Sequence, residues 1–198
     1  MLCTLLLGLA LATEGEDVFV APAADASVLA QGEYSRLHDD LQNLSKRQIW
    51  AGAERTFLEL QALNVPLDFS DYVAGAHAAR QTGNMQDAYD RLTAAARLRP
   101  DREVIDWLSS IDTTYGRVVL SSDPPRPNSL TIESLPMLPE QRMCVENAQR
   151  KVSETGNFSG LLPVGEYSFG GTPFSVSPGQ VPLTLTAPAA RGRGFGRD

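Results

Sequence analysis

The stretch from Asp68 to Asp101 most constrains what this chain of 198 residues can fold into. Small and apolar residues recur at helical spacing along it, first at Tyr72, Ala76 and Ala79 and then at Met85, Ala88, Leu92 and Ala95. Gly83 and Asn84 turn the chain between the two runs. Pro100 ends the second run because proline cannot continue a helix. The stretch therefore predicts a hairpin of two packed helices.

The helical period continues on both sides of this hairpin, over residues 32–115. Each further predicted helix carries one apolar stripe: Leu37, Leu41 and Leu44; Trp50, Ala53, Phe57 and Leu60; and Val104, Trp107, Leu108 and Ile111. Pro66 stops the second helix, and Asp101 can cap the fifth. Five helices with short connections favour antiparallel neighbours.

The order of residues from Tyr72 to Pro100 resembles the tetratricopeptide repeat, a helical hairpin with a fixed pattern of small positions. The resemblance places Ala76, Ala88 and Ala95 where the paired helices touch, and Pro100 at the end of the unit. It implies a stack of helical hairpins in which a fifth helix covers the open end.

A degenerate copy of the same frame lies 35 residues upstream. It has Gln48 where the turn glycine belongs, and Leu41 and Leu60 in place of small residues. An ordinary small helical bundle that merely shares the spacing is the alternative, because fewer than three repeats seldom form a stable stack by themselves.

The tetratricopeptide resemblance implies a surface for extended peptides along the first helix of each hairpin. In the repeat frame, Val73 and His77 fall at the positions of His38 and Gln42. The polar residues predicted to line this binding face are His38, Gln42, Lys46, His77, Arg80 and Gln81. Ordinary solvated surface is the alternative interpretation of the same residues.

Residues 116–187 change in character. Short β-type runs alternate with Gly/Pro turns, which predicts a small antiparallel β-sandwich-like domain and an α+β fold class for the whole chain. Met143–Val152 fits either a strand or a helical turn. The region resembles the PEGA and carboxypeptidase-regulatory type of small extracellular β-domain at three segments, which are Ser122–Pro124, Leu162–Tyr167 and Ser177–Gly179. That resemblance implies association with a cell surface or wall.

The two ends of the chain differ from the rest. Residues 1–12 contain an apolar run too short to cross a bilayer, followed by a small-x-small cleavage pattern at Ala10-Leu11-Ala12. They predict a secretory signal peptide, a periplasmic or secreted protein, and no integral membrane span after cleavage; a buried N-terminal helix is the alternative. Residues 13–31 are expected to form a linker, and residues 188–198 a disordered Gly/Arg tail.

Several chemistries find no support in the sequence. A net charge of −7 argues against a basic surface for nucleic acid. No Cys/His cluster has metal-ligand spacing, and no nucleophile-base set or phosphate loop can be named, so no catalytic residue, metal or cofactor is expected. Once a signal is removed, Cys144 is the remaining cysteine. A buried side chain is the first interpretation, and a free thiol or an intermolecular link are the others.

The predicted function is therefore that of an exported, non-catalytic adaptor or scaffold that binds protein or peptide partners through its helical surface. The alternative is a cell-wall or carbohydrate-binding module that uses the C-terminal β-domain, with the helices as a spacer. A polar groove between the first and third helices would favour the adaptor. Exposed aromatic rings at Tyr167, Phe169 and Phe174 would favour the alternative.

Overall fold

The structure, a computed structural model, describes residues 23–134 and 138–188. The expected signal peptide, residues 13–22 of the expected linker and residues 189–198 of the expected tail lie outside the described residues. Residues 23–31 do not form a linker, because they are the first turns of a helix that continues to Lys46.

The five predicted helices are present upstream of the first strand. They are α1 (Ala23–Lys46), α2 (Trp50–Ala62), α3 (Phe69–Gln81), α4 (Met85–Leu98) and α5 (Arg102–Thr114). Local chemistry sets their ends. The carboxylate of Asp101 accepts from two backbone N–H groups in the first turn of α5, and Gly83 takes a positive φ of 80° between α3 and α4.

The helices pack in sequence order as stacked hairpins. α1 packs against α2, α2 against α3, and α3 against α4, while α1 also contacts α3 and α4 contacts α5. The approach of α2 to α3 is close at Gly75, where an added Cβ would lie 2.4 Å from the Phe57 ring. A glycine is needed at this position because the fully buried ring occupies the space of a side chain.

Two three-stranded sheets follow the helices. In the first, β1 (Tyr115–Asp123) lies between β3 (Phe158–Pro163) and β6 (Gly179–Pro188). The second has the order β2 (Leu130–Ile132), β4 (Gly165–Phe169) and β5 (Thr172–Val176).

The α+β fold class is confirmed, with two departures from the expected β-domain. The first is a parallel pair: β1 and β6 run in the same direction, with Val118 opposite Leu183, whereas the sequence predicts an antiparallel domain. The second is a sixth helix, α6 (Pro139–Thr155), which contains the whole of Met143–Val152.

Helix α6 joins the helical and β parts of the molecule. Its Val145, Ala148 and Val152 are buried in a core shared by both sheets. Cys144, on the same helix, is buried in the helical core, and its thiol donates to the Leu161 carbonyl oxygen of β3 at 3.2 Å. Helix α6 therefore contributes side chains to the core of the helices and to the core of the sheets.

None of the helices within residues 23–134 and 138–188 has the length and apolar character needed to cross a bilayer.

The Gly75 contact gives a stability prediction. We expect Gly75→Ala to destabilise the fold by about 1–3 kcal/mol, because its methyl group would overpack the Phe57 ring. Gly32→Ala is the matched control, since it also lies in a helix and an added Cβ would meet nothing within 4 Å. That variant should gain about 0.5–1 kcal/mol from helix propensity. Urea denaturation measures both, and equal changes in the two variants would contradict the packing argument.

Candidate functional site

An open groove with a volume of about 510 Å³ lies between α1 and α3. Gln42 and Ser45 line it from α1, and Ser70, Val73 and His77 line it from α3. The groove is thus built from the first helices of two consecutive hairpins. Its walls mix hydroxyl, amide and imidazole groups with small apolar side chains.

A buried carboxylate fixes one end of this groove. Asp71 is fully buried, and it accepts hydrogen bonds from the Tyr34 hydroxyl at 2.8 Å and from the backbone N–H of Asp68 at 3.1 Å. Nδ1 of His38 lies 2.7 Å from the other carboxylate oxygen. Burial, and then the hydrogen bond to Asp71, raises the pKa of Tyr34. The three side chains therefore connect α1 to α3.

His77 occupies the opposite part of the groove, between the two tryptophans of the chain. Its ring lies 6.5 Å from Trp50 and 4.6 Å from Trp107, measured between ring centroids. Burial, and then the nearby positive charge of Arg80, lowers the pKa of His77. The imidazole is therefore neutral at pH 7, with one nitrogen that donates and one that accepts.

The rim and floor of the groove add further polar groups. Arg99 lies 3.7 Å above the Phe69 ring centroid and forms an ion pair with Asp101 at 3.7 Å. Within the described part of the chain, the buried Nε2 of Gln42 has no hydrogen-bond partner. A carbonyl oxygen is the kind of group that would satisfy this donor.

The six residues predicted for the binding face separate into three groups. Gln42 and His77 line the groove, and His38 lies beside it in the link to Asp71. Lys46 is exposed at the end of α1, and Gln81 is half-buried at the end of α3. Arg80 forms an ion pair with Glu140 of α6 and therefore contacts the junction with the β part.

The sequence interpretation missed Ser45, Ser70 and Arg99. Ser45 lies one turn beyond Gln42, so the helical period alone could have found it. Arg99 follows the end of α4, and its place above Phe69 depends on tertiary packing that no local pattern reveals.

One group of potential metal ligands occurs among the described residues. Donor atoms of His38, Asp68 and Asp71 lie within 4.8 Å of one another. The imidazole already faces Oδ1 of Asp71, and Oδ2 accepts from Tyr34 and from the Asp68 backbone. These contacts make the cluster a link between α1 and α3.

The structure places the side chain of Cys144 in the interior. Cys144 is 2% exposed, and burial raises the pKa of its thiol to about 12. The reactive thiolate is therefore scarce at neutral pH. Of the three interpretations left open for this residue, the structure supports the buried side chain.

The aromatic residues considered for the β-domain are not an exposed patch. Tyr167 and Phe169 are fully buried, and Phe174 packs against the same core. The Tyr167 hydroxyl donates to the carbonyl oxygen of Pro163 at 2.8 Å. Tyr167 and Phe169 therefore belong to the β core, and the partly buried Phe174 packs on it.

No protein-family model, curated protein or solved structure matches this chain. Function is therefore inferred from the geometry of the groove.

The lowered pKa of His77 predicts a pH effect on stability. As the pH falls through about 6.5, the unfolded chain binds this proton before the folded chain does, so protonation favours unfolding. We expect the melting temperature to decrease from about pH 7 to about pH 5, and His77→Gln to remove part of that decrease. Thermal melts across this range measure the slope. Identical slopes in the two proteins would show that His77 makes no contribution.

Proposed function

We propose that this protein is a non-catalytic adaptor that binds an extended segment of a partner protein in the groove between α1 and α3. The groove carries the proposal, because it is open, about 510 Å³ in volume and lined by two consecutive hairpins. An extended peptide presents backbone donors and acceptors along its whole length and can lie along such a surface.

The side chains of the groove suit a peptide backbone. The hydroxyls of Ser45 and Ser70 and the neutral ring of His77 can each donate and accept a hydrogen bond. Val73 and Ala74 lie among them and give small apolar contact points. Peptide recognition generally combines these two kinds of contact, main-chain hydrogen bonds for affinity and shallow pockets for side chains.

The walls of the groove are also held in place before a partner arrives. The link from Asp71 to Tyr34 and His38 fixes α1 against α3, and the two tryptophan rings flank His77. A preorganised surface loses less conformational entropy on binding, which favours affinity.

The adaptor proposal includes the two family resemblances and the cellular location. Ala76, Ala88 and Ala95 are fully buried in the helical core, which supports a tetratricopeptide-like hairpin stack. A PEGA-like β part and export to the periplasm or outside of the cell complete the proposal. The wall-binding alternative has weaker support, since Tyr167 and Phe169 are buried and Phe174 is partly buried against the same core.

The groove can be tested with peptides selected from a random display library against the full chain. We expect Ser45→Tyr to fill the groove and to raise the Kd of selected peptides at least about tenfold. Ser109→Tyr is the matched control, because Ser109 is exposed on α5 and is not part of the groove. Fluorescence anisotropy measures the Kd, and both variants should melt within about 2 °C of the wild type.

Two results would contradict the adaptor proposal. One is a set of selected peptides that bind Ser45→Tyr as tightly as the wild type. The other is a set of peptide-induced amide shifts that fall on the β-strands and leave α1 and α3 unchanged.

A further inference from the structure

A second cavity, of about 310 Å³, lies where the helical hairpins meet α6 and β1. Arg80 of α3, Trp107 of α5, Tyr115 at the start of β1 and Glu140 of α6 all line it. We call it the junction recess. It shares none of these residues with the groove between α1 and α3.

Tyr115 is the first indication that the junction recess binds a ligand. The residue is only 4% exposed, and its buried hydroxyl has no hydrogen-bond partner among the described residues. Buried hydroxyls in proteins are normally paired, because leaving one unpaired costs free energy. Burial also raises the pKa of Tyr115, so the hydroxyl keeps its proton and can donate at neutral pH.

The ion pair in the recess is the second indication. Nε and Nη2 of Arg80 both donate to one oxygen, Oε2, of Glu140. In the described part of the chain this leaves Nη1 of Arg80 as a donor and Oε1 of Glu140 as an acceptor. The pair therefore still offers a ligand one donor and one acceptor without being broken.

The charge of the site restricts the kind of ligand. Arg80 and Glu140 are each about three-quarters buried, and together they carry no net charge. A charged ligand would lose its hydration opposite one like charge as well as one opposite charge. An uncharged group that both donates and accepts avoids the like-charge repulsion and the larger desolvation cost of an ion, and neighbouring hydroxyl groups have this property.

The remaining walls are hydroxyl-bearing or apolar. Ser110 and Thr114 add hydroxyl groups, while Trp107, Ile111 and Leu138 supply apolar surface. The volume is at the lower end of the range for small-molecule sites, which begins at about 300 Å³. A ligand with polar groups around its edge and an apolar carbon face would contact both the hydroxyl-bearing and the apolar walls.

We propose that the junction recess binds an uncharged polyhydroxylated ring the size of one monosaccharide. Adjacent hydroxyls of the ring accept from Nη1 of Arg80 and donate to Oε1 of Glu140. A further oxygen accepts from the Tyr115 hydroxyl, and the carbon face of the ring packs on the apolar wall. The recess shares no lining residue with the peptide groove, although Trp107 contacts His77 of the groove, and either proposal can fail without the other.

The test is an NMR titration of the full chain, which carries a nitrogen-15 label at the indole nitrogen of each tryptophan. Glucose, N-acetylglucosamine and myo-inositol are the neutral probes, and glucuronate is the charged comparison. We expect a saturable shift of the Trp107 indole resonance with at least one neutral probe, at millimolar Kd, since such rings have only about twelve to fifteen non-hydrogen atoms. Trp50, the other tryptophan, should shift less, and glucuronate should bind more weakly.

Tyr115→Phe is the decisive variant. It should raise the Kd of the neutral probe about fivefold or more, because one hydrogen bond is lost. It should not lower the melting temperature of the free protein, since the hydroxyl has no partner within the described residues. Tyr167→Phe is the matched control. It removes a hydroxyl that donates to Pro163, so it should lower the melting temperature and leave the Kd unchanged.

The proposal is overturned if no neutral probe gives a saturable Trp107 shift, if glucuronate binds as tightly as they do, or if Tyr115→Phe binds like the wild type. Should Tyr115→Phe fail to fold, Ser110→Leu replaces it. Ser110 is an exposed residue at the recess, so the larger side chain would narrow the recess. Unchanged binding by that variant would equally overturn the proposal.

Discussion

The helical stack depends on one buried cation. Arg91 of α4 is only 5% exposed, and its two terminal nitrogens donate to both carboxylate oxygens of Glu54 at 2.5 and 2.7 Å. The guanidinium also donates to the backbone oxygen of Gly75 at 2.7 Å and lies 4.1 Å above the centre of the Phe57 ring. It therefore contacts α2 and α3 at once. A buried charge of this kind is tolerated only while its partners stay in place, so it fixes the spacing of the three helices.

The binding surfaces follow from that spacing. Gly75 has no Cβ, which lets α3 approach the Phe57 ring of α2. With α2 and α3 held together, α1 lies against both of them, and Asp71 of α3 contacts Tyr34 and His38 of α1. The groove is the space that remains between α1 and α3. The shape of the groove is thus set by contacts between the helices that form its walls.

Helix α6 has a similar role between the two parts of the molecule. An added Cβ at Gly83 would lie 2.3 Å from the backbone oxygen of Met143, and the side chain of Asn147 donates to the Gly83 oxygen at 3.0 Å. The turn between α3 and α4 therefore packs directly on α6. Arg80, at the end of α3, reaches Glu140 across the same contact. The junction recess exists because these elements meet.

The sequence predicts those features that depend on neighbouring residues or on a repeated pattern. The first five helices were found because each carries its own apolar period. Gln42 and His77 were found because they recur 35 residues apart in the same frame. Helix α6 was ambiguous because Cys144 and Val145 suit a strand as well as a helix. Pro139 lies in its first turn, where proline is common in helices. The parallel pairing of β1 with β6 joins residues about 65 apart, and no local pattern specifies it.

The two candidate sites differ in how far the sequence predicts them. The groove repeats a helix face, so a periodic pattern can indicate its residues one hairpin at a time. The junction recess has no period, because Arg80 and Glu140 are 60 residues apart and Tyr115 comes from a strand between them. Each of these residues has an ordinary structural interpretation when taken alone. The folded structure brings them together. It places the Tyr115 hydroxyl, which has no partner in the described chain, in the same recess as an ion pair in which Arg80 contacts only one carboxylate oxygen of Glu140. A site assembled in this way requires the whole fold, and it should be lost with the contact between α3 and α6 even if the groove survives.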